Sequence, residues 1–456
     1  MTRIIASGIT VLFILFLLRL DRKQNPAASL ALWVPTLWIL FFLSRSPGIW
    51  FGSSGLSMDE GNPFDRVFLG ALLLIGLLIL FKRYASWVNG IKDNPWLMLL
   101  IGYMLISVLW SDIPFVSFKR WNRSAANVIV MALVVAAEVD PRQALMSIFR
   151  RVIYVHIPLS FLLIRYYPSL GVQFRQWTGD RMWVGVSTQK NGLALICLFA
   201  IFFLLWTFIR RWRKRDISVT WYQAYIEVLL VILTIWLFMG PNHTLTYSAT
   251  SLGTLAVGST ALICLLWLKG KNITLGANAL TVIISLLIIY GTTTPFTGGF
   301  TIINPSELLG RDPTLTNRSD NIWAVIIPHA MQNPLLGHGF GGFWTDEMIG
   351  AAHGASDAHN GYLDTILNIG FTGLMFSSIF LISSSRKAQM EMMQDFDWGI
   401  FWFCIVLMTV VHNISESSIG KLTGLMSILI FVNICLSTAK TNHEESSKEI
   451  EGNQKS

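Results

Sequence analysis

Apolar runs of roughly 16 to 20 residues recur along the whole sequence, and each is long enough, with its flanks, to cross a hydrocarbon core of about 30 Å. A chain built this way reads as an all-α polytopic integral membrane protein. Composition agrees, with 53% hydrophobic and 13% charged residues against roughly 45–50% and 25% in an ordinary soluble domain. The net charge of +8 would suit nucleic acid if it were gathered in one domain, but the basic residues are spread over short loops between the apolar runs. They read as topology signals, and no nucleic-acid partner is expected. Cys197, Cys264, Cys404 and Cys435 fall inside apolar runs without paired spacing, which supports neither a disulfide framework nor a zinc site.

Spans are expected near residues 4–20, 29–44, 67–81, 95–110, 125–138, 145–164, 192–208, 224–239, 250–268, 275–290, 362–383, 398–412 and 422–438. That makes about thirteen transmembrane helices, within a range of about 12 to 14. The first run follows Arg3 as a signal peptide would, but no small-residue cleavage pattern follows it. It is read as a retained helix. The "RRWRKR" stretch at 210–215 is the strongest orientation signal and belongs in the cytoplasm. Alternating from it places about 21 of the 34 basic residues inside. The segment 291–361 then lies outside, with the loops at 111–124, 165–191 and 240–249. The expected organisation is helices 1–10 over 1–290, a large external loop between helices 10 and 11 over 291–361, helices 11–13 over 362–438, and a cytoplasmic tail over 439–456. The tail has almost nothing to bury and is expected to be disordered.

An external loop of about 70 residues is long for a structureless connection. Its "NIWAVIIPHAMQNPLLGHGFGGFW" predicts a short amphipathic or interfacial helix stopped by Asn333-Pro334, then tight glycine turns with aromatic anchors. Such a loop packs on the bundle as a lid or a partly re-entrant element. Arg311 and Arg318 are its only basic side chains. Either they grip phosphate bidentately, or each pairs with a neighbouring acid, Asp312 or Asp320, and only pins the loop. His359 has two readings as well: a base near neutral pH, or part of a cap in which Asp357 and Asn360 start the helix near Tyr362. His338, His353 and His243 are weaker candidates. "FKRWNR" adds Lys119, Arg120 and Arg123 to the same face, and "FRQWTGDRMWVGVSTQKNG" adds Arg175, Arg181 and Lys190. Each of these cations needs an anionic partner or a phosphate. The external carboxylates are scattered without D-x-D spacing and no Walker-type loop occurs, so neither a metal nor a nucleotide cofactor is expected.

Taken in order, "GRDPTLTNRSDNIW", "NPLLGHGFGGFW" and "DAHNGYLDTILNIGFTGL" resemble the signature of the O-antigen ligase and polymerase superfamily. The resemblance is greatest to its exopolysaccharide-polymerase branch, the ExoQ-like and Wzy-type proteins. "SVLWSDIPFVSFKR" and "STQKNGLALICLFAIF" are similar to further segments of that family, and the resemblance covers roughly residues 95–440. There are departures. Asn317 stands where the family commonly has Gly before the arginine, Gln189 precedes Lys190 where the family reads His-Lys-Asn or similar, and "YSATS" lacks a neighbouring basic residue. The last point leaves any role for Ser248 or Ser251 in doubt.

The resemblance implies a metal-independent, inverting glycosyl transfer on the periplasmic face of the bacterial inner membrane, using glycans carried on undecaprenyl pyrophosphate. It implies His359 as the group that takes the acceptor proton, and Arg318 as a second catalytic residue. Arg311, Arg318, Lys190 and Arg181 would bind the pyrophosphate, with Asn360, Asp320 and Trp323 in support. A polymerase of lipid-linked repeat units is the first reading. A ligase that hands finished glycan to lipid A core or to a protein shares the chemistry. The alternative of another class is a transporter or flippase of lipid-linked sugars, which should carry charges within its mid-membrane spans. The partners the family implies are a flippase and a chain-length regulator.

Overall fold

The computed structural model describes residues 2–52, 62–174, 179–214, 221–241, 248–273, 276, 278–297 and 322–455. Among the described residues, the chain is helical apart from turns and one antiparallel hairpin that pairs Val172–Phe174 with Arg181–Trp183. Seven helices are long and apolar enough to cross a membrane: Arg3–Gln24, Pro63–Lys82, Pro141–Tyr166, Lys190–Lys214, Ala249–Gly270, Ala279–Thr297 and Gly361–Gln394. Shorter apolar helices cover Leu30–Phe42, Pro95–Trp110, Gln223–Met239, Phe396–His412 and Gly424–Ala439. The remaining expected span, 125–138, is the fully buried helix Asn127–Ala136, reached from Pro114–Trp121 through a π-helical turn at Asn122–Ala126.

The apolar stretches are unequally covered. In Arg3–Gln24 and Pro63–Lys82 only 22% of the most apolar window is buried, against 83% in Pro141–Tyr166. Ile4, Leu12, Leu78 and Phe81 are among the side chains left open. Apolar surface on this scale needs lipid around it, and the chain is an all-α polytopic membrane protein.

Two compact units make up the chain, residues 1–53 with 138–259 and residues 54–137 with 260–456. In the first unit, helix Arg3–Gln24 is locked by Asp21. Its carboxylate takes Arg150 Nε at 2.9 Å, Arg151 Nε at 2.8 Å and the Ser147 hydroxyl at 2.5 Å. A buried carboxylate costs several kcal/mol unless paired and hydrogen-bonded, and here both conditions are met. Helix Pro141–Tyr166 starts where the sequence calls for it. Asp140 accepts from Arg142 N and Gln143 N, and Pro141 sits at the first position, where a missing N–H is harmless.

The second unit is organised around Gly361–Gln394, which covers the span expected near 362–383. Within it Ile369 and Gly370 leave helical geometry, with Gly370 at φ 68°. Backbone groups freed within a membrane helix must find new partners, and the segment after Asn333 supplies them. Pro334 O accepts from Phe371 N at 2.8 Å, and Leu367 O accepts from His338 N at 3.0 Å. Ile369 O accepts from the Tyr103 hydroxyl at 3.1 Å. A Cβ on Gly337 would stand 2.6 Å from Gly370 N, so this backbone-on-backbone contact needs glycine. The preceding helix, Ala324–Gln332, ends at Asn333. The last helix runs Gly424–Lys455.

Candidate active site

The second unit gathers titratable groups where two turns meet. One turn is "DAHN". Asp357 Oδ1 accepts from the His359 backbone N–H at 2.9 Å, a short-range turn that Asp favours, and the same oxygen lies 3.1 Å from His359 Nδ1. The directed hydrogen bond goes to the backbone, and the approach to Nδ1 places the ring beside a carboxylate. Trp323, itself buried, donates from Nε1 to Ala358 O at 2.9 Å. Asn360 closes the turn from the other side. Its Oδ1 accepts from Tyr362 N and Leu363 N, and its Nδ2 donates to Gly291 O and Ile414 O. Asn360 therefore caps the long helix and ties it to the second turn.

That second turn follows helix Phe396–His412. Gly361 N donates to Asn413 O at 2.8 Å, while Asn413 Oδ1 accepts from Ser418 N at 2.8 Å and Ile419 N at 3.0 Å. A Cβ on Gly361 would lie 1.9 Å from that same Oδ1, so the two turns can dock this closely only with glycine there. Docking brings in two charges. Glu416 Oε2 is 4.0 Å from His359 Nδ1. Lys421 Nζ lies 3.5 Å from Asp357 Oδ2 and 3.4 Å from Asp364 Oδ2, and donates to Ser356 O at 3.2 Å.

Asp364 is buried in the first turn of the long helix, where Trp344 Nε1 donates to its Oδ1 at 2.7 Å. Trp344 is placed in turn by Arg120, which donates to Gly341 O and Trp344 O. Burial disfavours the Lys421 ammonium, but Asp364 and Asp357 outweigh it and hold the lysine above its ordinary pKa. The ammonium stays charged at neutral pH.

Exposure separates the members. Asp364 has 1% of its side chain open, whereas Lys421 and His359 have 31% and Asp357 has 22%. The network runs from a buried acid to a histidine at the surface. His359 and Leu422, the neighbour of Lys421, both have left-handed backbone, at φ 49° and 54°. Non-glycine residues in that region cost about 1–3 kcal/mol and persist only where the surroundings impose them. Here the docked turns do so. Among the described residues, no group of His, Cys, Asp and Glu is arranged to hold a metal ion.

The structure thus brings together three of the residues expected from the sequence, His359, Asn360 and Trp323. Arg181 and Lys190 belong to the first unit, in the hairpin and at the start of helix Lys190–Lys214. Lys190 lines a small pocket there with Trp183, Leu237 and Ser248. Arg311, Arg318 and Asp320 lie outside the described residues, as do Arg175, Asn317 and His243. Sequence reasoning missed Lys421 and Glu416. The available signal was "HNISESSIGKL", a polar stretch between two apolar runs on the face that charge alternation places outside.

No curated protein matches the chain. Residues 237–377 match the family described as O-antigen ligase. This stretch holds Trp323, Trp344, Asp357, His359 and Asp364, while Arg120, Glu416 and Lys421 contribute from outside it. The match covers residues 237–377 alone and, with the sequence motifs that lie in it, supports a likeness to the O-antigen ligase/polymerase superfamily.

Proposed function

We propose that the chain is a polysaccharide polymerase that joins undecaprenyl-pyrophosphate-linked repeat units on the periplasmic face of the inner membrane, for exopolysaccharide or O-antigen synthesis. The observation that carries this reading is the His359–Asp357 pair, half-open to the surface and backed by Lys421 and the buried Asp364, within the segment that matches the O-antigen ligase family. His359 takes the proton of an acceptor hydroxyl as that oxygen attacks the anomeric carbon of the donor, and Asp357 faces the charge the ring acquires. The bond from the anomeric carbon to the diphosphate oxygen breaks on the opposite side. Its electron pair leaves with the lipid diphosphate. Charge grows on that group in the transition state, so cations aimed there accelerate transfer more than they tighten binding. The periplasmic loop at 291–361 supplies Arg318 and Arg311 for this role, with Lys190 and Arg181 as further cations.

The test is deletion of the gene and complementation with wild type, His359→Ala or Arg318→Lys, followed by size resolution of lipid-linked glycan and secreted polymer. His359→Ala should accumulate to wild-type level and slow transfer by roughly 10²-fold. Arg318→Lys should lose most activity, since a point charge replaces a bidentate fork poorly. Single repeat units building up on the lipid carrier fit a polymerase. Full-length polymer held on its carrier would make the protein a ligase instead, and unchanged pools in both variants would remove these residues from the chemistry.

A further inference from the structure

The first unit contains a second charged site, unrelated to the histidine network. At the end of the bundle where helix Lys190–Lys214 finishes, a cavity of about 430 Å³ is lined by Lys23, Arg150, Arg210, Arg211 and Lys214, with Gln24, Gln143, Thr207 and Gln223 between them. Five of these side chains are basic, and no acid is among the described lining residues. Two acids stand behind them. Asp21 binds Arg150 and Glu227 binds Arg211. Arg150 is 4% exposed, and after its Nε has bonded Asp21, its Nη2 is buried with no hydrogen-bond partner among the described residues. A buried, unanswered guanidinium nitrogen is costly. Its position in the wall of a cationic cavity indicates what answers it.

We propose that this cavity binds a phosphate-bearing anion, a diphosphate or a phospholipid headgroup, with Arg150 as the buried anchor and Lys23 and Lys214 as the outer cations. Guanidinium forks and ammonium groups are the usual phosphate partners, and the volume accommodates a diphosphate. Arg210, Arg211 and Lys214 in its lining belong to the segment that the positive-inside rule places in the cytoplasm, so the site faces the cytoplasmic leaflet.

The experiment uses full-length protein in phosphatidylcholine nanodiscs and measures thermal stability on titration with inorganic diphosphate, and separately in nanodiscs that also contain cardiolipin. A ligand of the folded state raises the melting temperature in proportion to its occupancy. Stabilisation by diphosphate alone assigns a soluble phosphate ligand, and stabilisation by cardiolipin alone assigns a lipid headgroup. In either case Lys23→Gln/Lys214→Gln, which alters exposed residues only, should weaken the response about tenfold. Arg150→Gln should abolish it if the variant folds. No stabilisation by either ligand overturns the proposal. So does an equal response to chloride at matched ionic strength, or a response that survives in the double variant unchanged.

Discussion

Asp21 in the first unit and Asp364 in the second are both deeply buried carboxylates, and they are held in opposite ways. Asp21 is fully buried, and its partners Arg150 and Arg151 are 5% and 4% exposed. Asp364 is as deeply buried, but its partner Lys421 is 31% exposed and passes on to Asp357 and from there to His359. The first arrangement is closed and joins one helix to another. The second begins at a buried acid and runs through paired side chains to a histidine that is open to the surface. A buried acid closed on all sides has no route to solvent, and one linked outward in this way does.

Substitutions should separate the two in a definite order. Asp21→Ala leaves two guanidinium groups without their partner, and removing one side of a buried pair costs about 3–5 kcal/mol. The variant should fail to accumulate in the membrane, measured by quantitative blotting of the membrane fraction. If it accumulated normally, the contrast between a structural and a functional acid would collapse. Lys421→Gln should cost less, about 1–3 kcal/mol for a buried acceptor left unanswered, because Trp344 still binds Asp364. Its main effect should fall on transfer, with membrane levels close to wild type.

The same residue makes a prediction about pH. Its folded-state pKa is raised above the ordinary lysine value of about 10.4, so the stability due to its ammonium is fully present below that value and fades as pH climbs through the folded one. Between about pH 6 and 9 the melting-temperature gap between wild type and Lys421→Gln should be constant, and it should narrow only in more alkaline buffer. A gap that changed near neutrality would mean that another group carries the effect. Trp323→Phe is the mildest test. It keeps the ring and loses one hydrogen bond to Ala358 O, about 1 kcal/mol. Transfer should fall slightly, as the turn that carries His359 loosens.

The turn that carries His359 and the capping role of Asn360 were legible because each depends on neighbours a few residues away, such as Asp357 and the apolar run that starts at Tyr362, whereas Trp323 reaches Ala358 O from 35 residues away. Lys421 and Glu416 were not. They reach His359 only because Asn413 and Gly361 bring together turns about fifty residues apart in sequence. The bonds from Arg120 to Gly341 O and Trp344 O were likewise hidden, since those carbonyls lie more than two hundred residues away in sequence. The break at Ile369–Gly370 was hidden for the same reason, since the groups that satisfy it come from Pro334, His338 and Tyr103.

The sequence by itself determined that this is a membrane protein, roughly where its apolar helices lie, and which superfamily its motifs resemble, because run length, charge placement and motif order are properties of neighbouring residues. Tertiary structure alone decided which charges meet: the lysine behind the histidine, the arginine pair on Asp21 and the cationic cavity below it. Those depend on how helices far apart in the chain pack, and in lipid that packing is set by which polar groups can satisfy one another away from water.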